Sequence, residues 1–117
     1  MKDILALASN DNLVTSINFK DNLEINIETW DGNDLTIVCQ DCLKLAVNVS
    51  PKFEIGEISF IGFSDFNDDW EIEFVKENPG CDNYSEMIIY DPWKSSKKSE
   101  DIFMRVIAEK FSVVICS

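Results

Sequence analysis

Histidine is absent from the 117-residue sequence. Its absence removes the commonest general base and the ordinary Ser–His and Cys–His nucleophile pairs. Positive charge is scarce: ten Lys and Arg stand against 22 Asp and Glu, a formal net charge of −12 at pH 7. Nucleic acid and anionic membrane surfaces both call for positive charge on the face that meets them, so neither is an expected partner. A basic protein partner, bound cations or simple solubility all fit such an excess. No apolar run approaches the ~18 residues of a membrane-crossing helix. The apolar run at 4–8 is too short for a signal-peptide core, and Asp3 is badly placed for one. The expected location is therefore the cytoplasm, with the four cysteines reduced. The P-loop, dinucleotide and nucleophile-elbow motifs are missing too. With no repeat, low-complexity run or linker, the chain reads as one domain, and as a non-enzyme without a cofactor.

What is present is alternation. Residues 23–40 read LEINIETW-DGN-DLTIVCQ, with Leu23, Ile25, Ile27 and Thr29 on one face and Glu24, Asn26, Glu28 and Trp30 on the other. That is the period-2 signature of a half-buried strand. Leu35, Ile37 and Cys39 repeat it after the turn. A three-residue loop, 31–33, pairs Thr29 with Leu35, Ile27 with Ile37 and Ile25 with Cys39, and it keeps one face apolar. Such loops end in a left-handed residue, which places Asn33 at positive φ. Upstream, Leu13, Thr15, Ile17 and Phe19 alternate. A turn at 20–22 pairs Phe19 with Leu23, Ile17 with Ile25 and Thr15 with Ile27. Three antiparallel strands follow, sharing an apolar face of odd-numbered residues.

Further strands are expected around 43–47, 57–63 and 84–90. Another is expected where Trp70, Ile72 and Phe74 alternate with Glu71, Glu73 and Val75. A weak helix or a trailing end is the expectation for 3–9, an acidic loop for 64–69 and a lysine-bearing loop for 93–99. Residues 102–115 carry both a helical stripe and a strand composition. The Val, Ile and Phe content favours two strand pieces with a bend near Ala108 and Glu109. The expected fold is mainly β: an antiparallel sandwich or curled sheet of about eight short strands with at most one short helix.

Few residues suggest chemistry. Cys39 and Cys42 form a C-x-x-C, but at a strand end rather than at the helix N-terminus that activates a thiolate. With Cys81 and Cys116 they make a Cys₄ zinc set conceivable, although no second close pair exists. Buried structural cysteine is the bland reading. Asp65-x-Asn67-x-Asp69 starts like a calcium loop, yet Trp70 and Lys76 stand where an EF-hand needs Gly and Glu. Asn83-Tyr84-Ser85 is a glycosylation sequon without use in a cytoplasmic chain. Trp30, outward by phase, and Trp93, in a polar loop, fit interface anchors or packing equally; Trp70 reads as core.

The pattern in Leu23-Glu24-Ile25, Thr29-Trp30-Asp31-Gly32, Leu35-Thr36-Ile37 and Glu54-Ile55-Gly56-Glu57-Ile58, closed by 102–115, resembles small bacterial β-rich proteins similar to immunity proteins of polymorphic toxin systems. The resemblance implies a compact β fold and a non-catalytic binding role, and it supplies no site residues. The expected function is an immunity-like protein-binding module engaging a basic partner through two acidic sets. These are Glu24, Glu28, Trp30, Asp31 and Asp34, then Asp65, Asp68, Asp69, Glu71 and Glu73. The alternatives are a calcium- or zinc-binding β module and a structural subunit self-associating through a sheet edge.

Overall fold

Alternation is realised as two packed antiparallel sheets in a computed structural model, which describes residues 12–92 and 102–116. Trp93 and the segments 3–9 and 93–99 lie outside the described residues. The first sheet joins β1 (Leu13–Phe19), β2 (Leu23–Glu28), β3 (Asp34–Gln40), β5 (Phe53–Glu54) and β9 (Lys110–Cys116), in the order β5-β1-β2-β3-β9. The second joins β4 (Lys44–Val47), β6 (Ile58–Gly62), β7 (Ser85–Tyr90) and β8 (Ile102–Ala108), in the order β4-β8-β7-β6. Leu23, Ile25, Ile27, Ile37 and Cys39 from the first sheet meet Ile58, Met87, Ile89, Met104 and Val106 from the second in one buried cluster. The fold is mainly β, as its alternation implies.

The meander has the expected faces but not every expected pair. Phe19 faces Leu23 and Ile17 faces Ile25; a bulge between Val14 and Ser16 then puts Val14, not Thr15, opposite Ile27. The bulge hands the fully buried site to Val14. The next hairpin pairs Ile27 with Leu35 and Ile25 with Ile37, two residues away from the expected register. Its loop therefore runs over 29–33. A shift of two leaves every side chain on its own face, so alternation alone does not distinguish the two registers. Gly32, not Asn33, takes the positive φ, at +87°. Asn33 instead receives a hydrogen bond from the Thr29 backbone N–H at 2.8 Å and donates its own to Thr29 Oγ1 at 3.1 Å.

Residues 102–116 are two strands joined at Glu109, as the composition suggests. Beside them the chain crosses from β3 to β4. Gln40 faces Lys110, while Lys44 faces Ile107. Three residues thus oppose two, and the extra one is accommodated where Asp41 adopts φ +53°. Both long strands change sheet at this corner.

The expected strand at 70–75 is a helix, α1 (Asp69–Glu77). Asp68 caps it: its carboxylate accepts from the Glu71 N–H at 2.8 Å, and Glu71 Oε1 accepts from the Asp68 N–H at 3.1 Å. This reciprocal box satisfies two of the donors that a helix start leaves without partners. Lys76 sits in the last turn, and Pro79-Gly80 follow the end. A short 3₁₀ turn, Phe63–Asp65, precedes it in the expected acidic loop. Phe74, fully buried, anchors the helix against Phe66 and Tyr84.

Candidate functional site

β8 is buried on both faces. Met104 and Val106 point into the sandwich, while Arg105 and Ile107 point the other way, Arg105 toward the start of α1. Arg105 meets three carboxylates there. Its Nε donates to Glu86 Oε2 of β7 at 2.6 Å, and its Nη2 donates to Asp68 Oδ2 at 2.8 Å and lies 3.4 Å from Glu71 Oε2. The Trp70 ring lies over the guanidinium at 4.3 Å, with Lys44 Nζ at 4.9 Å. Lys44 also bonds Glu73 at 2.9 Å and the Trp70 carbonyl at 3.0 Å. Sheet and helix are thus joined by charge, while Phe74 packs on Phe66 and Tyr84.

Three acids around one cation leave an excess of negative charge at a site where Glu71 and Glu86 are buried and Asp68 is partly open to water. Burial, then the facing Glu71 carboxyl, pushes Glu86 up to about 8, against the pull of Arg105. Glu86 is therefore largely protonated near neutrality. The opposite holds for Asp68: burial raises its carboxyl, but the Glu71 N–H and Arg105 outweigh it and hold it below the ordinary value. Burial alone would lower Arg105, yet its bonds to Glu86 and Asp68 keep it above its ordinary value. Glu86 has the raised basicity of a general acid, but it is fully buried, and a proton donor must reach substrate. The arrangement is a dock for α1.

The second acidic set therefore divides. Asp68 and Glu71 are bound to Arg105, Glu73 is paired with Lys44, and Asp65 and Asp69 are exposed. Glu71, at 2 % exposure, has almost no surface to offer. The first set fares differently. Glu28, Asp31 and Asp34 are exposed around the β2–β3 turn, and Trp30 in that turn is 74 % exposed. Trp30 is outward, as phase suggests, but as part of the turn rather than of the β2 row; Glu24, half-buried, stands further back on β2.

Hydrogen bonds hold the turn backbone. The Gly32 N–H donates to the Thr29 carbonyl at 2.9 Å, and the Asn33 side chain donates to Asp31 at 3.1 Å. The Thr29 hydroxyl also bonds Asp31. The Trp30 N–H reaches the Asn12 side chain at 3.2 Å, tying the turn to the segment that leads into β1. A groove of about 370 Å³ runs here between Trp30, Asp31, Leu35 and Ile115. Ile115 is 75 % exposed.

Cys39 and Cys42 are not poised for redox work. Burial, with the neighbouring Cys42 thiol, pushes Cys39 up to about 12, and burial also raises Cys42. Among the described residues no three Cys, Asp or Glu side chains converge as a metal set, and no helix is long and apolar enough to cross a membrane. Asn67 and Asp69 of the calcium-like run belong to the entry into α1, where the Asn67 N–H donates to Glu71 at 2.9 Å. Arg105 was hidden from sequence reading by its apolar flanks, whereas Asp68-x-x-Glu71 carried a legible helix-start signal. The chain matches no protein-family model, no curated protein and no solved structure.

Proposed function

We propose that the protein is a non-catalytic, cytoplasmic protein-binding module, immunity-like in role, that engages a basic partner through the tip of the β2–β3 hairpin. The observation that carries this reading is Trp30: a large aromatic residue, 74 % exposed, on a hydrogen-bonded turn among Glu28, Asp31 and Asp34. An aromatic anchor in a charged rim is the arrangement in which a few residues supply most of the short-range binding energy. The acidic rim and the charge of −12 draw a cationic partner by long-range attraction. A turn already held in place also loses little conformational freedom on binding.

The test is a random peptide display library panned against the wild-type protein and against Asp31→Lys/Asp34→Lys. Peptides rich in Lys and Arg with an apolar residue should be enriched on the wild type and lost on the variant. Equal enrichment on both would place binding elsewhere.

A further inference from the structure

Among the described residues the two sheets have four edge strands, β5, β9, β4 and β6, and three of them are short. β5 has two residues, β4 four and β6 five, whereas β9 has seven. Short edges are one way proteins avoid pairing with another chain; charge on the edge is another. β9 has little of either protection. Its sequence, KFSVVIC, carries no acid in a chain with 22 of them, and its one charge, Lys110, is at its start. Among the described residues no strand pairs with its outer side. Val114 and Ile115 are 49 % and 75 % exposed on it.

We infer that β9 is the seam of a homodimer, pairing antiparallel with β9 of a second copy about a two-fold axis at Val113. The register follows from three constraints. A two-fold axis makes the pairing self-complementary. Continuing the sandwich requires odd residues to face odd ones, because opposite residues share a face. Engaging all seven residues then leaves one choice: Val113 opposite its copy, Phe111 opposite Ile115, Ser112 opposite Val114 and Lys110 opposite Cys116.

That register makes chemical sense on both faces. On the inner face it extends the row of Leu35 and Ile115 with Phe111 of the second copy; Leu35 and Phe111 already pack on the core. Aromatic and β-branched residues placed opposite each other are a favourable cross-strand pair. On the outer face it puts Lys110 of the second copy in the same row as Asp34, which lies opposite Cys116. Symmetry repeats this opposite-charge pair. A second copy is thus complementary to this edge in apolarity and charge, and the product is one continuous ten-stranded sheet. The inference is argued from β9 and does not need Trp30 as an anchor, although Asp34 and Ile115 border both surfaces.

Sedimentation equilibrium at high micromolar concentration tests it, with two variants at the exposed outer positions of β9. Wild type should be dimeric. Ser112→Asp/Val114→Asp sets like charges directly opposite each other twice and should raise the dissociation constant roughly tenfold or more. Ser112→Lys/Val114→Glu sets opposite charges there and should restore the dimer. Circular dichroism checks that both variants are folded; if one is not, Lys110→Glu, which sets a second acid in the row of Asp34, replaces it and should weaken the dimer. Added salt should tighten the wild-type dimer by screening two copies of charge −12, whereas it should weaken capture of a basic peptide. A monomeric wild type, or a dimer indifferent to Ser112→Asp/Val114→Asp, would overturn the seam. A dimer lost in that variant and not regained in Ser112→Lys/Val114→Glu would overturn the register.

Discussion

Glu86 and Arg105 meet diagonally across neighbouring strands, Oε2 to Nε at 2.6 Å, with the Glu86 side chain fully buried and that of Arg105 9 % exposed. The pair joins β7 to β8, and through Asp68 and Glu71 it joins both to the start of α1. Removing Arg105 would leave Glu71 and Glu86 buried with their cation gone. Arg105→Leu should therefore destabilise the fold by about 3–5 kcal/mol, the usual cost of stranding a buried partner. Urea unfolding followed by circular dichroism measures it. Adding Glu86→Leu to the same chain should recover part of the loss, because it removes one of the stranded acids.

The same pair makes stability depend on pH. The Glu86 carboxyl sits at about 8 in the folded protein, against an ordinary value of 4.5. Between these values the folded state holds a proton that the unfolded chain has released. Stability contributed by this group is therefore fully present below about 4.5 and declines as pH rises toward 8, by about 1.4 kcal/mol per pH unit within the window. Asp68 acts in the opposite sense: held below its ordinary value, it contributes stability that is lost as pH falls through its folded value. Thermal melts across pH 4.5–8 should show Tm falling with pH. Glu86→Gln keeps an acceptor for Arg105 without an ionisable group, so it should flatten that fall.

Gly56 is placed where the chain crosses from β5 to β6, and its N–H donates to the Tyr90 carbonyl at 3.0 Å. A Cβ here would stand 2.5 Å from the Tyr90 carbonyl oxygen and 2.5 Å from the Pro92 nitrogen. Both are backbone atoms, which have little room to give way. Gly56→Ala should cost about 1–3 kcal/mol, as overpacking does, and lower Tm. Gly62→Ala, with nothing within 4 Å of the added carbon, should change stability far less.

These features were unequally legible in the sequence. The meander was open to reading because Leu23, Ile25 and Ile27 alternate with polar residues, and a sheet with one wet face requires that pattern. Its register was not, since a three-residue and a five-residue loop leave the same side chains inward. At α1 two signals competed. Trp70, Ile72 and Phe74 alternate like a strand, while Asp68-x-x-Glu71 and Pro79-Gly80 mark the ends of a helix. The end signals correspond to the structure, because Glu71 and Phe74, on one helical face, are both buried. The Arg105 cluster had no local signature: its three carboxylates come from between 19 and 37 residues away. β8 resembled a helix because it is buried on both faces and so lacks alternation.

The binding reading of the hairpin tip is tested most directly by kinetics. A basic peptide recovered from panning on the wild type is measured by surface plasmon resonance against wild type and Trp30→Ala, over a range of salt concentrations. If Trp30 is the anchor, the variant should release the peptide roughly tenfold or more faster, a loss of about 1.4 kcal/mol or more. Its association rate should stay close to that of the wild type and fall with salt in the same way, because the acids that steer encounter are still in place. An unchanged release rate in Trp30→Ala, with circular dichroism matching the wild type, would contradict the account.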